Sequence, residues 1–225
     1  MKGIIYMNLS IKELKTISRN QLRGNWKYPI LFTLSYFILI MFLNFLQEKY
    51  FLIGLLAIII SVGISLLVPK FYLEFTRNEG NISLNYLKIP FKKYLNYLLF
   101  SLILVIIYFA ILTPIIFFML MSEISLVLLS IITLVISIFF AIFSLALMPV
   151  PYLMIETDMK IFKVFKVSIN MMNGYKWKYF IMMLSFLGWA ILSIFTFGIG
   201  FLWLYPYVSL TSTNFYNDLK RNVYI

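Results

Sequence analysis

The sequence predicts an all-α membrane protein, a polytopic helix bundle of about six spans with amphipathic interfacial helices on the cytoplasmic side. Three observations predict it. Of the 225 residues, 63% are hydrophobic and only 12% charged, where soluble domains carry about a quarter charged residues, and the mean hydropathy is +0.96. The apolar residues fall in runs of about 20, the length that crosses ~30 Å of hydrocarbon. The basic residues, which bring the net charge to +11, sit between those runs rather than within them.

The composition also excludes functions. A soluble enzyme is ruled out first. With no Cys and no His, the chain lacks disulfides, thiol nucleophiles, imidazole bases and the commonest zinc ligands, so no metal and no cofactor are expected. A charge of +11 on a soluble protein suggests nucleic acid; beside membrane spans it points instead to anionic lipid of the inner leaflet. The start, MKGIIYMNLSIK, turns polar too early for a signal peptide, so uncleaved insertion is expected.

Six spans are read at about 28–47, 51–69, 94–121, 124–148, 178–195 and 199–216, in a single membrane domain over 1–225. The connections alternate in charge. Eighteen of the 19 basic residues fall in 1–27, 70–93, 149–178 and the tail, and Lys49 alone falls on the other side. By the positive-inside rule both termini are expected in the cytoplasm.

The first cytoplasmic segment predicts a helix near 11–23. Ser10 and Glu13 have capping-box spacing, Leu9 and Leu14 staple spacing, and Gly24 supplies a stop. At 100° per residue Ile11, Leu14, Ile17 and Leu22 share one side, while Lys12, Lys15, Arg19 and Arg23 crowd the other. A second such helix is expected over 158–173, with Ile161, Phe165 and Met172 on one face, Lys163, Lys166, Asn170 and Asn173 on the opposite one, and Gly174 as its stop. Both are expected to lie along the inner headgroups, held by Lys12, Lys15, Arg19, Arg23, Lys27, Lys163, Lys166 and Lys178.

These two helices align with each other. SRNQLRGNWKYPI from Ser18 matches SINMMNGYKWKYFI from Ser168. The match pairs Ser18 with Ser168, Asn20 with Asn170 and Gly24 with Gly174; one inserted residue later, Trp26 and Lys27 pair with Trp177 and Lys178. A weaker third copy runs from Ile82 through Lys92 and Lys93. The pattern suggests three units, 8–69, 82–148 and 157–217, each an interfacial helix plus a transmembrane hairpin. A Trp and Lys anchor at any helix entering a membrane gives the same local likeness without duplication.

Small residues recur at helical spacing in two spans: Gly54, Ala57, Ser61 and Ser65 in the second, and Ser130, Thr133, Ser137, Ala141 and Ser144 in the fourth. Such stripes suit helix packing, and these two spans are expected at the bundle's centre; the alternative is a polar lining for a substrate path. Pro114, Pro149, Pro151 and Pro206 mark kinks or helix ends.

Catalysis inside a membrane needs ionisable groups there, and the span interiors carry none. Glu48 and Glu123 fall in the outer connections; Glu74, Glu79, Glu156, Asp158 and Asp218 fall on the cytoplasmic side, where solvation is expected to account for them. No catalytic residue is assigned. TFGIG at 196–200 resembles a potassium-filter sequence, but a full span precedes it, and its glycines suit a tight turn.

The C-terminal third holds Gly174, LSFLGW ending at Trp189, Thr196 with GIG at 198–200, LWLYPY from Leu202 to Tyr207, and Phe215 with Tyr216, joined by LRGNW at 22–26. On these residues the chain resembles the bacterial integral membrane family known as domain of unknown function 975. The middle, about 30–150, matches mainly in hydrophobicity. The resemblance implies a multi-span protein of the bacterial cell membrane, in Gram-positive bacteria, and brings no reaction. The expected function is a non-enzymatic membrane protein that binds lipid, peptide or a membrane-protein partner, in tolerance to or export of membrane-active peptides. A transporter, or the permease subunit of an ABC-type exporter, is the alternative.

Overall fold

The computed structural model describes residues 9–49, 51–121 and 126–221; the expectation for Glu123 lies outside them. The described residues form α1 (Ile11–Leu22), α2 (Lys27–Lys49), α3 (Phe51–Arg77), a 3-10 turn (Leu84–Leu87), α4 (Phe91–Met121), α5 (Leu126–Ala146), α6 (Val150–Glu156), α7 (Ile161–Met171), α8 (Lys176–Leu184), α9 (Leu187–Phe195) and α10 (Phe201–Arg221). The protein is all-α and polytopic. Among the described residues, five stretches are long and apolar enough to cross a membrane: Lys27–Gln47, Ile53–Arg77, Phe91–Pro114, Ser130–Glu156 and Lys176–Phe195.

Burial is concentrated at one end of the molecule. The core joins Leu14 of α1, Leu66 and Leu73 of α3, Leu153 of α6, Val164 and Met171 of α7, Met182 of α8, and Phe215 and Leu219 of α10. Leu22, Phe71, Tyr72, Phe75 and Leu210 form a second cluster beside it. Away from this end the spans expose rows of large apolar side chains, as on Ile103–Phe109 of α4 and Leu134–Phe139 of α5. Lipid explains the contrast, because hydrocarbon solvates Leu and Ile as well as a neighbouring helix does.

The predicted start of α1 is present in full. Glu13 N–H donates to Ser10 Oγ at 3.2 Å and Ser10 N–H to Glu13 Oε2 at 2.6 Å. Those bonds from Ser10 hold the Glu13 carboxyl below its ordinary pKa, so the box is closed above the ordinary carboxylate range and opens as pH falls through the lowered value. Its apolar stripe, however, meets protein. Leu14, Ser18 and Leu22 are fully buried against α10 and its neighbours, which corrects the expectation that this face lies in the lipid interface. The second amphipathic helix, α7, likewise buries Val164, Ser168 and Met171 and exposes Lys163 and Lys166.

The sixth predicted span is covered by α10, which is less apolar than the five stretches above. Its run Leu210–Tyr216 and Asp218 are buried among α1, α2 and α3, so polar residues there meet protein rather than lipid. Tyr205 stacks on Tyr36 of α2 at 5.9 Å. Beyond that stack α2 runs on from 36 to 49 and α10 only back to 201, about 20 Å against about 6 Å. α10 is thus shifted toward the buried end.

The fifth predicted span, 178–195, is interrupted. α8 stops at Leu184 and α9 restarts at Leu187. The TFGIG sequence forms the expected turn between α9 and α10, closed by Gly198 N–H to Ser193 O at 3.0 Å and Gly200 N–H to Thr196 Oγ1 at 2.9 Å. Pro149 caps α6 just after α5 ends. Gly24 and Gly174, predicted stops, have φ of +82° and +81° with open space around each, a conformation costing an L side chain about 1–2 kcal/mol. Gly24→Ala and Gly174→Ala are therefore each expected to lower stability by about that amount, measured as unfolding midpoints in detergent, whereas Gly188→Ala in α9, where no positive φ occurs, is expected to be neutral.

Candidate functional site

Three elements meet at the buried end around one carboxylate. Glu156, at the C-terminus of α6, has a side chain only 5% exposed. It pairs with Arg77 from the end of α3 and with Lys220 of α10 at 2.8 Å, and it accepts the Tyr216 hydroxyl at 2.6 Å. Tyr216 stacks on Tyr152 of α6 at 4.7 Å, and the Tyr152 hydroxyl meets Thr213 at 3.2 Å. Glu74 adds ion pairs to Lys70 at 2.8 Å and Arg77 at 3.3 Å. Asp218 is 1% exposed and accepts Leu9 N–H at 3.1 Å. The expectation that solvation accounts for Glu74, Glu156 and Asp218 is thereby corrected: all three are internal ties. The spacing of Lys70, Glu74 and Arg77 at i, i+4 and i+3 is a readable signal, whereas Glu156 with Arg77 spans 79 positions and leaves none.

α1 is bolted onto this end by polar contacts as well as by leucines. Asn214 donates to Ser18 Oγ and to Gln21 Oε1, both at 2.8 Å. Lys15 reaches the break between α8 and α9, where its ammonium donates to Ser185 O at 3.3 Å and lies 4.1 Å over the Phe186 ring. A cation on the open carbonyls of a helix C-terminus is favourable, although burial pulls the Lys15 pKa below its usual value. Lys178 donates to Leu9 O at 2.6 Å. Two of the eight residues assigned to the lipid interface, Lys15 and Lys178, are thus engaged inside the protein. Lys12, Arg23, Lys27, Lys163 and Lys166 remain exposed, and Arg19, also exposed, lines a groove.

The two stripes of small residues are treated differently. In α3, Gly54 and Ala57 are buried and Ser61 and Ser65 half-buried, on a helix that packs along α2. Gly63, which no stripe included, fits closest of all: a Cβ there would fall 1.8 Å from the Tyr94 ring. In α5, Ser130, Ser137, Ala141 and Ser144 are exposed. The three serine hydroxyls donate to carbonyls of the same helix, as Ser137 does to Thr133 O at 2.7 Å, so none needs a partner helix. α5 leans mainly on α8 and is not central within the chain.

Cavities adjoin this end, and two of them touch α10. One, of about 660 Å³, lies between α1, α9 and α10 and is lined by Arg19, Trp26, Trp189, Leu192 and Trp203 among others. The other, about 400 Å³, lies between α3, α5, α6, α8 and α10, with Ser144, Tyr152, Tyr179, Ser209 and Ser212 supplying hydroxyls. The aligned serines Ser18 and Ser168 are both fully buried, but Ser18 bonds Leu14 O of its own helix at 2.9 Å and Ser168 bonds Ala146 O at the end of α5 at 2.7 Å.

A family described as "Protein of unknown function (DUF975)" matches residues 7–223. No curated protein and no solved structure matches the chain. Removing the central carboxylate leaves Lys220 without its anion and Arg77 with Glu74 alone, where breaking a fully buried pair costs ~3–5 kcal/mol. Those two cations are 47% and 39% exposed, so Glu156→Ala is expected at about 2 kcal/mol once solvent screening is allowed for. Asp158→Ala, whose side chain is 88% exposed, is expected to change the unfolding midpoint negligibly.

Proposed function

The chain belongs to the DUF975 family, whose description assigns no reaction, and we propose that it is a non-enzymatic integral membrane protein that grips anionic lipid and binds lipid, peptide or a membrane-protein partner at its basic end. The observation that carries this reading is the sorting of charge. Glu74, Glu156 and Asp218 are turned inward, while Lys12, Arg23, Lys27, Lys163 and Lys166 stay outward. That leaves the exposed cations with little internal compensation, and each cation near an anionic surface contributes ~1 kcal/mol. A role in tolerance to membrane-active peptides suits a protein that holds inner-leaflet lipid.

The basic asymmetry supports the proposed orientation, and the same contacts support placing the two ends together. Leu9, ahead of the first span, bonds Asp218, near the end of the last helix. Both therefore lie on one side, which requires an even number of crossings. Five apolar stretches plus α10 make six, with both termini cytoplasmic. The short reach of α10 beyond Tyr205 favours a second arrangement, in which α9 and α10 form a hairpin that enters and returns without crossing. A transporter is the second functional reading, favoured by the broken α8–α9 segment and by the hydroxyl-lined cavity of about 400 Å³.

Two measurements test these readings. The sequence has no natural Cys, so single cysteines report cleanly. Positions 49, 123 and 198 are expected to react with an impermeant maleimide from outside, and 85 and 170 from inside; protection at 198 alone selects the shallow hairpin, and a reversed pattern removes the orientation. Changing Lys12, Arg23, Lys163 and Lys166 together to Gln is expected to weaken photocrosslinking to anionic headgroups and to lower survival of a complemented deletion strain under a cationic membrane-active peptide. Unchanged crosslinking in that variant sinks the lipid-gripping reading.

A further inference from the structure

We propose that the groove between α1, α9 and the start of α10 holds a single anionic phospholipid, its phosphate on Arg19 and an acyl chain along Trp189, Leu192 and Trp203. The proposal rests on the lipid-binding reading above and gives it a site. The groove encloses about 660 Å³, within the usual size range of small-molecule sites. Its polar chemistry is one-sided. Among the described residues Arg19 has no carboxylate partner, and the indole N–H groups of Trp26, Trp189 and Trp203 have no protein acceptor. Guanidinium and indole are donors only, so the missing partner is an acceptor-rich anion.

The rest of the wall defines the other half of the ligand. Ser193 donates to Trp189 O at 2.8 Å, and Thr196 donates to Ser193 O at 2.8 Å while accepting Gly200 N–H at 2.9 Å. These hydroxyls are already engaged, which leaves an apolar surface, with Leu192 and Trp203 roughly half exposed toward the surroundings. An anion joined to hydrocarbon fits both halves, and in a bilayer that is a phospholipid. Its chain gains little by leaving one apolar environment for another. Selectivity therefore falls on the headgroup, where a planar guanidinium forms charge-assisted bonds to phosphate oxygens. Arg19 is the residue placed for this: Lys15 is turned to Ser185, and Arg23, exposed on the same helix, does not line the groove.

The test uses the full chain carrying Trp177→Phe, so that only groove tryptophans fluoresce, reconstituted in phosphatidylcholine vesicles with brominated phosphatidylglycerol or brominated phosphatidylcholine as quencher. Brominated phosphatidylglycerol is expected to quench at about fivefold lower mole fraction, the factor that one cation at an anionic surface supplies. In Arg19→Gln the preference should vanish, in Arg19→Lys it should persist, and in Arg23→Gln, which removes one exposed cation outside the groove, most of it should remain. Leu192→Phe, which fills the groove with Arg19 intact, should weaken quenching by both lipids and decides the matter if Arg19→Gln does not reconstitute. A preference that survives Arg19→Gln, or quenching that Leu192→Phe leaves untouched, overturns the site. Equal loss in Arg19→Gln and Arg23→Gln also overturns it while leaving the general lipid-gripping reading intact; no preference in the parent protein removes both.

Discussion

The buried carboxylate of Glu156 is the constraint on which the rest of the molecule hangs. Spans in hydrocarbon have no hydrophobic reason to associate, and here they expose most of their apolar surface. What fixes their relative positions is the end where water-facing and lipid-facing chain meet, and there α3, α6 and α10 are joined by Arg77, Tyr216 and Lys220 on one anion. A carboxylate taken from water needs its partners in place. The ends of three distant segments are thereby set together, and the amphipathic helices α1 and α7 then find a formed apolar surface to cover.

Length, periodicity and capping chemistry make the helices legible. The Ser10 box, the stops at Gly24 and Gly174, the turn at 196–200 and four of the spans all follow from local rules, because each depends on residues within one or two turns of each other. The destinations of the amphipathic faces are not local. Ile11, Leu14 and Leu22 form an apolar stripe whether the other side is lipid or α10, and the separation of apolar from charged residues around the helix is the same in both cases. What decides between them is Asn214 reaching Ser18, 196 positions away. Single-sequence reading has no access to such a pair.

The sixth span shows the same limit from the opposite direction. Residues 199–216 have the length and aromatic content of a span, yet Thr211, Ser212, Thr213 and Asn214 are too polar for lipid and are all buried. Their hydroxyls bond back to carbonyls one turn earlier, as Thr211 does to Tyr207 O at 2.7 Å. A helix can carry such groups wherever protein surrounds it. The axial shift of α10 toward the buried end places them there, and that shift is set by packing on Tyr36 and α1 rather than by anything periodic in the sequence.

Lys15 links this architecture to function. An unwound point inside an apolar segment exposes carbonyls that lipid cannot satisfy, and between α8 and α9 the Lys15 ammonium supplies the donor at Ser185 O. α1 is therefore more than a surface float, since one of its cations completes the backbone of a span more than 160 positions later. The residue one turn further along, Arg19, points its charge into the adjoining groove instead. Two basic residues of one helical turn thus have opposite tasks. One is consumed in holding the broken segment together, and the other turns its donors toward a groove walled by three indoles, which is the arrangement expected of a helix that positions a site as well as closing a fold.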